Sequence, residues 1–143
     1  MTLFKHFKIG AIALALSLNV NAATAEVVAV VSAKSSVTSL SDNQVVDIFL
    51  GKVSRLPNGE PVRPIDQAED SAVRDEFYAK FTGKSAAQVK AHWSKVIFTG
   101  RGNPPKEIGN DTEVKKFLAA NPNAIGYIDA GAVDESVRVL KAR

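Results

Sequence analysis

The sequence predicts one α/β domain, and three observations carry the prediction. An unbroken apolar run, Val27-Val28-Ala29-Val30-Val31, follows the first 25 residues. Four segments with apolar residues at helical spacing come after it, each behind a Ser, Asn or Asp cap, and two short apolar strands close the chain. The composition permits one core: 143 residues, 45% hydrophobic and 23% charged, which excludes a disordered or low-complexity chain. There is no cysteine, so disulfides, thiolate metal sites and a cysteine nucleophile are excluded with it.

Residues 1–25 have the three parts of a secretory signal. Lys5, His6 and Lys8 form a cationic start, Ile9 to Leu18 a ten-residue apolar run, and Ala23-Thr24-Ala25 a cleavage site, with Val20-Asn21-Ala22 as a second option. Crossing a ~30 Å hydrocarbon layer takes ~20 helical residues, so the run is too short for an anchor. The expected mature domain is residues 26–143, exported to a periplasm and not inserted in a membrane after cleavage. Removing Lys5 and Lys8 leaves 16 basic residues against 15 acidic ones. No basic stripe is clustered among them, which argues against a nucleic-acid partner.

Val27–Val31 is β-branched and unalternating, the pattern of a strand covered on both faces, as in a parallel sheet. The first helix has Ser41 as cap, Gln44 at the box position, a Leu40–Val45 staple, a Val45-Ile48-Phe49 stripe and Gly51 as its stop. Leu56-Pro57-Asn58-Gly59-Glu60-Pro61 reads as a turn or hairpin tip, and Val62 to Ile65 as a short strand that Pro64 places near an edge. The second helix starts at about Ser71, carries Val73, Phe77 and Phe81, and stops at Gly83. The third is capped by Ser85 with Gln88, and Val89, Trp93, Val96 and Ile97 share one face. Thr99 to Pro105 is a loop. The fourth begins near Asn110 or Asp111, buries Val114, Phe117 and Leu118, and ends before Pro122. Ala124–Ile128 and Val137–Leu140 are the closing strands.

Two places could carry chemistry. At Asp70-Ser71-Ala72-Val73-Arg74 a helix N-terminus offers free N–H groups and about half a positive charge, enough to hold an oxyanion. Ordinary capping explains the same serine, and Asp66, Glu69, Asp70, Asp75 and Glu76 surround it with Arg74 as the one base. At Thr99-Gly100-Arg101-Gly102-Asn103, glycines let the backbone approach a ligand while Arg101 makes a forked contact with a carboxylate or phosphate; a solvated turn is the plain alternative. His92, the one histidine outside the leader, has no visible partner for a metal site or a catalytic triad. No phosphate loop, dinucleotide fingerprint or carboxylate pair is present, so no catalytic residue, metal or cofactor is assigned.

Ser39-Leu40-Ser41 leading to Asp47-Ile48-Phe49-Leu50-Gly51-Lys52, then Ser71-Ala72-Val73-Arg74-Asp75-Glu76-Phe77, then Asn123-Ala124-Ile125-Gly126-Tyr127-Ile128, resemble in order the corresponding stretches of phosphate ABC transporter substrate-binding proteins with the type 2 periplasmic-binding-protein fold. The resemblance runs from about Val27 to Leu140. It implies a single lobe of that fold, a mixed sheet with about four to five helices packed on it, whose strand ends and helix N-termini face a cleft. In the family, a Ser-Gly-Thr before Arg-Asp binds phosphate and an arginine lies four residues before that serine. Here the slots read Ser71, Ala72 and Val73, with Gln67 in place of the arginine. The loop of the second lobe is missing as well. At ~1.5 to 3 kcal/mol per charged hydrogen bond, these losses turn a micromolar site into a millimolar one or none.

The resulting expectation is an exported solute-binding-like protein for ABC-type uptake of phosphate or another small oxyanion. Its ligand would be held by Ser71, the N–H groups of Ala72, Val73 and Arg74, Gln67 as a neutral donor and Arg101 as the charged one. The alternative is a ligand-free interaction module whose acidic collar docks an envelope protein, a sensor or a transporter component.

Overall fold

The computed structural model describes residues 26–141; the leader read at residues 1–25 lies outside the described residues. The elements run β1 (Val27–Ser32), α1 (Asp42–Phe49), β2 (Arg63–Asp66), α2 (Ala72–Thr82), α3 (Ala86–Phe98), β3 (Lys106–Glu107), α4 (Asp111–Ala120), β4 (Ala124–Asp129), a 3-10 turn (Ala130–Ala132) and β5 (Val137–Val139). The strands form one mixed sheet in the order β3-β2-β4-β1-β5. β2 is parallel to β3 and to β4, whereas β1 is antiparallel to β4 and β5. The apolar run of β1 is covered on both faces as expected, but its neighbours are antiparallel. An unbroken run reports double burial, and nothing in it reports the direction of the flanking strands.

The period-2 alternation of the strands divides the core into two clusters. Val27, Ala29 and Val31 of β1 and Ile125 and Tyr127 of β4 pack with Phe49, Phe77 and Trp93 from α1, α2 and α3. On the opposite face Val30, Ile128 and Ile65 pack with Val114 and Leu118 of α4. Three helices thus cover one face and a single helix the other. The lone helix can lie close because β4 has Gly126 at the crossing: a Cβ there would sit 3.0 Å from Val114 Cγ1 and 3.2 Å from Ile65 Cγ1. No helix among the described residues is long and apolar enough to cross a membrane.

Local signals set the helix ends. Ser41 and Gln44 form a reciprocal capping box, at 2.9 and 3.2 Å, and Ser85 and Gln88 form a second, at 2.9 and 3.3 Å. Asn110 caps α4 by accepting from the Glu113 N–H. The turn at 56–60 closes through Leu56 N–H to Glu60 O at 2.8 Å. Arg138 of β5 clamps the loop after β1 by donating to the carbonyls of Ala33, Ser35 and Val37.

The apolar stripe of α3 departs from expectation at its end. Val89 and Trp93 are buried, but Ile97 is 53% exposed and Phe98 92%, because the helix runs past the edge of the core after Val96. Gly51 follows the Leu50 cap of α1 with a φ of +75°, and a Cβ on it would sit 2.8 Å from Trp93 Cη2. Gly51→Ala is therefore expected to cost about 1–3 kcal/mol, from the left-handed backbone and the displaced indole together. Urea denaturation followed by Trp93 emission measures it; a loss under ~0.5 kcal/mol would show that the indole moves freely.

Candidate functional site

The start of α2 is where the sequence and the fold converge. β2 and β3 are parallel, and each leads from its carboxyl end into a helix, α2 from Ser71 and α4 from Asn110. Two helix N-termini consequently open at the same end of the sheet, the end where open α/β sheets bind ligands.

α2 has no capping box, because the third helical position is Arg74 where Glu or Gln would close one. A cation at a helix N-terminus opposes the macrodipole, and a buried acid offsets it. Arg74 Nη1 donates to Gln67 O at 3.0 Å, and Nη2 lies 4.0 Å from Asp66 Oδ2. Asp66, on the last position of β2, is buried and accepts from Tyr78 Oη at 2.8 Å and from Tyr127 Oη. Burial pushes the Asp66 carboxyl above the ordinary range, against the lowering pull of the Tyr127 hydroxyl, Arg74 and the Tyr78 hydroxyl. Burial, with the Asp66 carboxylate second, raises both tyrosines as well, so their hydroxyls remain donors at every physiological pH.

Gln67 completes the network. Its backbone N–H donates to Tyr127 Oη at 3.0 Å; its side-chain amide donates to Asp111 Oδ1 at 2.6 Å and to Tyr127 O at 3.0 Å. Its Oε1 accepts from Ser71 Oγ at 2.8 Å, and Ser71 Oγ in turn accepts from the Arg74 N–H at 3.3 Å. Gln67 therefore ties the first residues of α2 and α4 to β4, and its amide hydrogens are spent inside the protein. The N–H groups of Ala72 and Val73 have no intramolecular acceptor among the described residues.

Gln67, Ser71, Ala72, Val73 and Arg74 thus lie together. Arg101 does not join them. Arg74 borders a hollow of about 280 Å³ between α2 and α3, with Glu69, Asp75 and Glu107 as its acids. Arg101 borders another, of about 210 Å³, on the α1 side of α3. Trp93 is part of both walls. His92 is occupied structurally: its Nε2 lies 2.9 Å from Leu50 O, linking α3 to the end of α1.

Asp66, Tyr78, Asp111 and Tyr127 are the residues that sequence reading missed. A faint signal existed. A tyrosine inside the apolar strand Ile125-Gly126-Tyr127-Ile128 must find a partner for its hydroxyl, and Asp66 ends the other central strand.

No family model matches the sequence, and no curated protein matches it. Among solved structures, a protein named for phosphate ABC transport substrate binding, with bound phosphate, from Clostridium perfringens superposes with a TM-score of 0.64 at 22% identity, covering 81% of this chain and 44% of its own. An ABC-type phosphate transport receptor from Vibrio cholerae gives 0.64 at 19%, covering 81% and 45%. PstS from Borrelia burgdorferi gives 0.59 at 14%, covering 82% and 47%. This chain has the fold of one part of these substrate-binding proteins, a single periplasmic-binding-protein-like lobe. It spans a little under half the length of each of the three.

Proposed function

We propose that this chain is an exported, periplasmic solute-binding-like protein that recognises a small oxyanion such as phosphate, without covalent chemistry, in support of ABC-type uptake. The observation that carries the reading is the pair of N–H groups on Ala72 and Val73, without acceptors among the described residues, at a helix tip that opens at the carboxyl ends of parallel strands. Arg74 supplies charge beside them, since a guanidinium has five N–H donors and only part of that capacity is engaged by Gln67 and Asp66. The names of the solved structures that share the fold support the ligand class. Gln67 acts behind the site as a positioning residue, because its amide already holds Asp111 and β4. Glu69 and Asp75 repel an anion, so affinity near ~1 mM is expected.

Calorimetry with phosphate at low salt tests this. Heat is expected from the wild type and a loss of at least ~tenfold in affinity in Arg74→Gln, with a smaller loss in Ser71→Ala. Equal heats in all three would move the anion elsewhere, and no heat in any would remove phosphate as ligand.

A docking module is the second reading, favoured by one observation. Phe98 and Ile97 project from the end of α3, and Ile97 also borders the hollow that holds Glu69, Asp75 and Glu107. Apolar surface beside three acids, which outnumber the two bases Arg74 and Lys90 of the same hollow, suits a basic partner, such as an envelope transporter or sensor component. Pull-down from periplasmic extract with wild type and Phe98→Asp separates the readings: a partner lost only in the variant supports docking.

A further inference from the structure

The hollow beside Arg101 differs in chemistry from the tip of α2. Its floor is apolar, with Ile48, Val62 and Trp93, and its polar groups are Ser54, Arg101 and Asn103. No carboxylate borders it among the described residues, whereas three border the hollow on the other side of Trp93. Arg101, like Arg63, makes no ion pair and no side-chain hydrogen bond among the described residues, whereas Arg55, Arg74 and Arg138 are engaged; of the two, only Arg101 borders this hollow. Trp93 adds a donor. It is 7% exposed, and its indole Nε1–H is buried without an acceptor, a situation that costs ~1–3 kcal/mol in a folded protein and calls for an explanation. Gly51, which borders the hollow, packs so closely on the indole that a side chain there would collide with it.

One uncompensated cation, uncharged groups and an apolar floor select a ligand with one negative charge at one end and an apolar body at the other. We propose that this hollow binds a small apolar carboxylic acid. Its carboxylate takes the fork of Arg101, and its hydrocarbon part displaces water from Ile48 and the Trp93 ring. At about 210 Å³ it is smaller than the ~300–1,000 Å³ of drug-sized pockets, which fits an acid of the size of benzoate. Phosphate has no apolar body and gains nothing from this floor. The site is independent of the α2 tip and stands whether or not that tip holds phosphate.

Trp93 is the single tryptophan of the chain, so its emission reports this wall directly. The purified protein is titrated with benzoate, with neutral benzamide and with inorganic phosphate, and the benzoate titration is repeated on Arg101→Gln and Ser71→Ala. Benzoate is expected to give a saturable change. Benzamide, and benzoate with Arg101→Gln, are expected to bind at least ~tenfold more weakly, the effect of losing one charged hydrogen bond. Phosphate is expected to give no change, and Ser71→Ala to match the wild type. Arg101 is exposed in a loop, so its replacement leaves the core intact, which circular dichroism verifies. Benzamide binding as tightly as benzoate, an unchanged Arg101→Gln, a loss in Ser71→Ala or the lack of any saturable signal would each overturn the assignment.

Discussion

Phe77→Ala is expected to lower the free energy of unfolding by about 3–5 kcal/mol, the range for deleting a fully buried phenyl ring. Phe77 is completely buried and lies at the centre of the aromatic cluster. Its ring stacks on Tyr127 at 4.0 Å with an interplanar angle of 4°, meets Phe49 edge-on at 4.7 Å and lies 4.8 Å from Phe81. Each such pair adds ~0.5–1.5 kcal/mol beyond burial, and all of them go at once. Domains of this size hold only ~5–15 kcal/mol in total, so the variant approaches the edge of folding. Urea denaturation measures the loss; a value below ~2 kcal/mol would mean that the cluster closes over the gap.

Tyr127→Phe removes no packing volume to speak of, yet it is expected to cost about 2–5 kcal/mol. The hydroxyl has two duties: it donates to the buried Asp66 carboxylate and accepts from the buried Gln67 N–H. Deleting it leaves the Gln67 N–H and Asp66 Oδ1 unpaired, although Tyr78 still donates to Asp66 Oδ2, at ~1–3 kcal/mol for each buried unsatisfied group and more for a charged one. Tyr78→Phe, which strips a single bond from Asp66, is the internal standard and should cost less. The effect depends on pH with a definite sign. Burial holds the Asp66 carboxyl above the 3.8 of an ordinary aspartate, so the native state takes up this proton before the unfolded one does. The associated stability is complete below pH 3.8 and is lost as pH rises through the native value. An ionised Asp66 needs its donors most, so the gap between Tyr127→Phe and wild type should be widest at neutral pH and shrink in acid. A gap that stays constant from neutral pH to below pH 3.8 would assign the loss to Gln67 alone.

The local parts of this fold were legible and the non-local parts were not. Ser41 with Gln44, and Ser85 with Gln88, announce their helices because a capping box is completed within four residues. Gly51 and Gly83 mark stops for the same reason. The direction of β1's neighbours is invisible in Val27–Val31, since pairing brings in residues about a hundred positions away. β3 escaped notice because two exposed charged residues, Lys106 and Glu107, form it only by lying beside β2. At the candidate site, Ser71 and Arg74 were readable as a helix start. Asp66, Asp111 and Tyr127 gain their meaning only when β2, α4 and β4 meet, and no spacing along the chain encodes that meeting. Gln67 looked like a weakened donor; in the folded protein it is the knot between three elements.

The placement of β1 has a temporal consequence. The strand made earliest by the ribosome is hydrogen-bonded only to β4 and β5, which are made last. Such wide separation slows closure, because the entropy of a long loop must be given up before any of those bonds can form. A nascent chain halted near residue 120 would hold helices but have no strand to pair with β1. It would therefore stay threadable until nearly the whole polypeptide has emerged, a property useful to any molecule that must pass lengthwise through a narrow channel before it locks.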